Sequence, residues 1–327
     1  MGYYDFNLIN DQSCLFLIYP KLNLHCYMVT RLYIPWKMLF KDLWFSILLI
    51  VIYLLFLSIL DDEHLLSQLS LPLSIITVPG TAISLLLAFR TNSSYQRWWE
   101  ARMVWGAIVN DSRSWVRQLV TYLPKDPVAK ELLIEMSLRQ SAWCYALARH
   151  LRKQDPTADA GPLLKKDEIS MLRKSKNVPN ALLYSQAHLL KHMFKMGYID
   201  SYQMVQLDTT LCKLTDAMGK CERIKNTVFP SMYTLLLEIL IYCFIFSVPY
   251  GLVETNGAVL LITSVTLALA FLIIERIATY LQDPFENSSS DTPMLTLSRT
   301  IEINIKEEIK YKDLPQPWKP ERPYVLM

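Results

Sequence analysis

Four long apolar runs constrain this chain more than any other feature of its sequence. Residues 43–60, LWFSILLIVIYLLFLSIL, carry no charge at all. Runs of similar character occupy residues 72–89, 229–250 and 258–274. Each is within or near the roughly 17–25 residues with which a helix crosses a bilayer. A buried core helix could imitate one of them, but four with so few charges point to a membrane domain. The rest of the chain does not follow them into lipid: mean hydropathy is only +0.20. A membrane domain joined to a sizeable aqueous one fits both facts.

The connections orient the spans. DDEHLLSQLS joins the first two and GLVETNG the last two, and neither holds Lys or Arg, whereas residues 90–228 carry most of the chain's 33 basic residues. The positive-inside tendency places the short loops outside and the middle segment and both termini in the cytosol. The expected location is the cell membrane, with several passes, and the inner membrane if the source is bacterial. A net charge of +3 gives no reason to expect nucleic acid as a partner. The six cysteines are scattered without CxxC spacing, so neither a disulfide framework nor a zinc site is expected.

Residues 1–27 lack the basic start and small-residue cleavage site of a signal peptide, and Met28 would serve as a natural start, so they read as an N-terminal extension. The expected divisions are then 28–89 for transmembrane helices 1 and 2, 90–228 for a cytosolic helical domain, 229–276 for transmembrane helices 3 and 4, and 277–327 for a cytosolic loop, helix and Pro-rich tail. Helical periodicity runs through 96–122, 127–153, 166–175, 179–196 and 201–226, and no run alternates with period two. The expected fold class is all-α.

The second apolar run changes character without breaking. Pro72, Pro79 and Gly80 sit in it, Ser84 and Ala88 are small and four apart, and Thr81, Leu85 and Phe89 lie at the same interval on another face. A helix packed on one side and lining a narrow passage on the other would look like this, and so would a helix buried in a bundle. After Phe89 the chain keeps helix formers but turns polar: RTNSSYQRWWEARMVWG. If the passage is hydrophobic, the same helix can continue as the wall of a wet cytosolic cavity, with Arg90, Asn92 and Arg97 as cavity-lining candidates. Trp98 and Trp99 fit an interfacial aromatic belt equally well, and Arg beside Trp fits cation–π packing.

Three segments carry a resemblance to a known family. FRTNSSYQRWWEARMVWGAIVNDSRSWVRQ at 89–118, CERIKNTVFPSMYT at 221–234 and DPFENSSSDTPMLTLSRTIEINI at 283–305 resemble the bestrophins, in the same order, over a similarity that spans about 28–327. The resemblance implies a homopentamer with one central pore lined by the second span. A three-ring hydrophobic neck falls on Thr81, Leu85 and Phe89, with Thr81 departing from the bulky apolar residue usual there. It also implies a cytosolic aperture near the start of the 201–226 helix, at Ile199 or Tyr202. A ring of apolar side chains gates by dewetting. The implied function is a passive ion channel whose partners are inorganic ions and the lipid bilayer, chloride-conducting if Arg90 and Arg97 face water. A monovalent-cation channel of the same fold is the alternative, and a membrane-anchored scaffold the alternative of a different class.

Other candidates carry less. The calcium clasp of eukaryotic bestrophins corresponds to DPFENSSSDTP, where serines replace much of the acidic run around Asp283, Glu286 and Asp291. Calcium takes six to eight oxygens, so no calcium gating is expected, and Asp283 would more simply tie down the loop. His188 and His192 are four apart but lack a third ligand, and an exposed helix face explains them more simply. Glu238 lies inside the third span, where an intramembrane carboxylate is a functional candidate. No GxSxG, P-loop or GxGxxG pattern occurs, so neither an enzyme nor a cofactor nor a metal site is expected.

Overall fold

The computed structural model describes residues 36–61, 71–227, 229–253, 255, 257–286 and 291–318. The expected N-terminal extension and most of the acidic connection after the first apolar run lie outside the described residues. Among the described residues the chain is helical, without a strand. The helices are α1 (Trp36–Asp61), α2 (Leu73–Tyr122), α3 (Pro127–Leu151), α4 (Lys166–Leu172), α5 (Val178–Lys195), α6 (Ser201–Asn226), α7 (Ser231–Gly251), α8 (Gly257–Gln282) and α9 (Met294–Glu308). By length and composition α1, the first part of α2, α7 and α8 are long and apolar enough to cross a membrane.

The change of polarity at Phe89 leaves no mark on the backbone. Main-chain hydrogen bonding is indifferent to what the side chains dissolve in, and RTNSSYQRWWEAR contains no Pro or Gly to interrupt it. So α2 runs unbroken for 50 residues, about 75 Å at the rise of an α-helix. Its two halves sit in two separate cores. In the apolar half, Ile83 and Leu87 pack with Leu54 of α1, Leu237 and Phe244 of α7, and Ala268 and Leu272 of α8. Gly80 permits that closeness, because a Cβ there would come within 2.8 Å of Phe244 Cε2. In the polar half, Trp105, Ile108, Trp115 and Leu119 enter a core shared with α3, α5, α6 and α9, where Trp143 is fully buried.

Helix ends in the polar half are set by local chemistry. Asp126 caps α3 at the amides of Val128 and Ala129, with Pro127 in the first turn. The α5–α6 corner is tighter. Gly197 adopts φ +73°, its amide bonds the Phe194 carbonyl and the Tyr198 amide bonds that of Met193, the double closure of a Schellman turn. Three residues later Asp200 and Gln203 cap α6 reciprocally, side chain to backbone in both directions. After α9 the described tail is extended, and Trp318 lies 5.4 Å from the Arg299 guanidinium, whose other neighbour is the Tyr145 ring at 5.7 Å.

Candidate functional site

The face of α2 turned away from both cores is where the candidate residues collect. Ile76, Gly80, Ile83, Leu87, Arg90, Ser94, Ala101 and Trp105 form its buried side. On the opposite side Thr81, Leu85, Phe89 and Asn92 follow one another at spacings of four and three, all exposed, and Gln96, Trp99 and Met103 continue the stripe. Leu85 is 58% exposed and Phe89 62% exposed, so no other part of the described chain covers them. Thr81 donates its hydroxyl to the Thr77 carbonyl at 2.9 Å, which engages its polar atom with its own helix. Ser84 and Ala88 lie on the flank of this stripe and are exposed too, Ser84 bonding back to Gly80 at 2.8 Å. No residue of the stripe between Thr81 and Met103 is charged.

The arginines do not belong to it. Arg90, expected to line a cavity, is 1% exposed and held in the protein interior: Nη1 donates to Glu275 Oε1 at 3.0 Å and Nη2 to Thr279 Oγ1 at 3.1 Å. The reason is rotation. One residue turns a helix by about 100°, so the neighbour of an outward Phe89 faces the bundle. Arg97, also expected to line the cavity, is turned inward as well. It donates to the carbonyls of Ile224 at 2.8 Å, Gln282 at 3.0 Å and Thr227, and stands 3.9 Å from Asp283. Those carbonyls belong to the ends of α6 and α8, where the last backbone acceptors of a helix have no partner of their own and the dipole favours a cation. Arg97 therefore clamps two helix C-termini, and Asp283 helps tie down the loop after α8. It is Arg102 that stacks on a tryptophan, 5.3 Å from the Trp98 ring.

The two aperture candidates separate. Tyr202 is 89% exposed on the first turn of α6. Ile199 is 4% exposed and belongs to the core of the polar half, because the Schellman turn and the capping box leave it no freedom to swing outward. Glu238 is exposed on α7 and borders an open cavity with Arg276 of α8. His188 and His192 are exposed on α5, Tyr184 meeting the His188 ring edge-on at 4.5 Å. Among the described residues no group of three or more His, Cys, Asp or Glu is arranged to hold a metal ion. Glu286 is ion-paired to Lys225, while residues 287–290 of the serine run lie outside the described residues. Burial pushes the thiols of Cys144 and Cys221 up to about 12, which suits inert core residues rather than nucleophiles.

Two kinds of residue escaped the sequence. Gln96, Trp99 and Met103 were legible in principle, by continuing the period from Phe89. Glu275 was not: it is 185 residues from Arg90, and nothing local marks it as the partner.

A family profile described as "Bacterial/Fungal Bestrophin protein" matches residues 28–307. The chain belongs to the bestrophin family. Among curated relatives, a voltage-dependent anion channel-forming protein of Ralstonia nicotianae is 33% identical over 70% of this chain and 75% of its own length. Another protein so named, from Escherichia coli, is 28% identical over 76% of this chain and 81% of its own. A crystal structure of a bacterial bestrophin homologue from Klebsiella pneumoniae superimposes with a TM-score of 0.75 at 27% identity, covering 83% of this chain and 98% of that one. The bestrophin likeness thus takes in both the apolar helices and the polar half, with α2 running through both.

Proposed function

We propose that this chain is a passive anion channel of the cell membrane, assembled as a homopentamer in which the open faces of five α2 helices surround one pore. Here α1, the apolar half of α2, α7 and α8 span the bilayer, with residues 90–228 and 277–327 on the cytosolic side together with both termini. The observation that carries the reading is the uncovered stripe of α2. It is apolar at Leu85 and Phe89 and turns to amides at Asn92 and Gln96, with no charge before Met103. Apolar side chains that large are left open on a membrane protein toward lipid, a neighbouring copy or a pore. The continuation of the stripe into amide side chains on a helix that leaves the membrane favours the last two. Thr81, Leu85 and Phe89 form the neck, Asn92 the start of the cavity below it, and Tyr202 the cytosolic aperture.

The sign of the permeant ion comes from the relatives, which are named for anions. The displacement of Arg90 and Arg97 into structural roles removes fixed positive charge from the stripe and keeps a monovalent-cation channel as the second reading. The deciding experiment is the reversal potential of the purified protein in planar bilayers under a KCl gradient. A shift toward the chloride equilibrium potential is expected. A shift toward potassium refutes the anion reading, and no current from a folded pentamer, with none from widened-neck variants either, supports a scaffold.

A further inference from the structure

An open cavity of about 640 Å³ lies between the start of α7 and the end of α8, walled by Phe229, Ser231, Thr234, Leu235, Glu238 and Arg276 among others. Arg90 and Thr279 close its back. A recess of about 90 Å³, bordered by Glu238 and Arg276 as well, opens beside it. The charges on these walls decide what fits. Arg90 is buried and held by Glu275 and Thr279, which leaves Arg276 and Glu238 as the charges turned to the cavity. Arg276 reaches Glu275 at 3.8 Å, and among the described residues no salt bridge joins it to Glu238. A simple anion entering here would meet the Glu238 carboxylate, and a simple cation the Arg276 guanidinium. A group carrying both charges a few ångströms apart meets each with its opposite.

We propose that this cavity binds the headgroup of a phospholipid that carries a phosphate and a primary ammonium, a phosphatidylethanolamine. The assignment rests on α7 and α8 spanning the bilayer as proposed above. Arg276 takes the phosphate, helped by the hydroxyls of Ser231 and Thr234 in the first turn of α7. Glu238 takes the ammonium, which can donate three hydrogen bonds, as a trimethylated choline cannot. The acyl chains follow the exposed apolar surface beside the cavity, Leu235, Leu236 and Ile239 on α7 and Ile274 and Ile277 on α8. Lipid facing the spans generally would show no such preference between headgroups.

The test is a titration of the full-length protein in detergent with phosphatidylethanolamine, phosphatidylcholine and phosphatidylglycerol of equal chain length, counting bound lipid by native mass spectrometry. Phosphatidylethanolamine should bind best. Glu238→Gln should cost it about tenfold, the loss of one charged hydrogen bond, and leave phosphatidylglycerol binding equal or improved. Glu238→Asp should restore part of the preference, and Arg276→Gln should weaken all three lipids. Equal binding of the three lipids by the native chain, or an unchanged preference in Glu238→Gln, overturns the proposal. Soluble phosphoethanolamine binding as tightly as the lipid would overturn the lipid source, and the absence of any binding to the folded oligomer would mean that a neighbouring copy fills the cavity. None of these outcomes alters the reversal potential, so the channel reading stands or falls separately.

Discussion

Arg90 and Glu275 offer the sharpest test of how α2 is held. Their side chains are 1% and 6% exposed and 3.0 Å apart, and Thr279 donates to the same carboxylate oxygen at 3.0 Å. Removing one member of a buried pair strands the other, at about 3–5 kcal/mol. The two halves are not equivalent here. In Glu275→Gln the Arg90 guanidinium keeps only neutral partners, so the full loss is expected. In Arg90→Met, Glu275 still has Thr279 and Arg276, the latter at 3.8 Å, and the loss should be nearer about 2–3 kcal/mol. Replacing both, as Arg90→Met with Glu275→Leu, should recover to within about 1 kcal/mol of the native protein, since an apolar pair needs no desolvation. Unfolding of the detergent-solubilised protein for the native chain, the singles and the double gives the coupling. Bilayer recordings of whatever folds should show native conductance and reversal potential. The buried pairing is refuted if Arg90→Met unfolds like the native protein and shifts the reversal potential, because Arg90 would then be exposed to the ions.

At the neck, Leu85→Ala and Phe89→Ala should raise single-channel conductance while changing subunit stability by less than about 1 kcal/mol, as both side chains are uncovered within the chain; unchanged conductance in both removes the neck assignment. Chelating calcium should leave the current as it was, given Asp283 beside Arg97 and Glu286 on Lys225, and a large loss would mean that a clasp forms after all. Stability of the polar half should fall in acid. Burial alone would raise the Glu135 carboxyl, but hydrogen bonds from Lys165 and Arg139 outweigh it and hold the group below its ordinary range. Its contribution is therefore complete above the unfolded value of about 4 and disappears as pH falls through the lowered folded one. Melting curves between neutral pH and pH about 3 should show that loss, and Glu135→Gln should diminish the acid-dependent part.

The helices were legible because their causes are local. The α6 bounds, Ser201–Asn226, could be read from periodicity alone, and the apolar runs announced α1, α7 and α8. The exposed stripe of α2 through Thr81, Leu85 and Phe89 was legible for the same reason, being one helix repeating every three or four residues. Arg90 and Arg97 were misplaced because polarity was read without rotation: a cation next to Phe89 in sequence is on the other side of the helix in space. Their partners were beyond reach altogether, since Glu275, Gln282 and Ile224 enter the site only when α6 and α8 have packed on α2. Ile199 went astray over a corner whose two closures, at Gly197 and Asp200, occupy only a handful of residues.

The unbroken 50-residue span of α2 has a mechanical consequence. A shaft about 75 Å long, stiff because every turn bonds the next, transmits a tilt from one end to the other. An inclination of about 5° about one end would displace the far end by about 6 Å, more than the length of a helical turn. Whatever pushes on the polar half, around Trp105 and Trp115, would thus be felt at Leu85 and Phe89 without any local unfolding. The weak point of the shaft is Pro79, whose ring denies the Ile75 carbonyl its helical donor. It precedes Thr81, so bending there would leave Thr81, Leu85 and Phe89 moving in step with the polar half and only the first residues of the helix, Leu73 to Val78, moving apart from them.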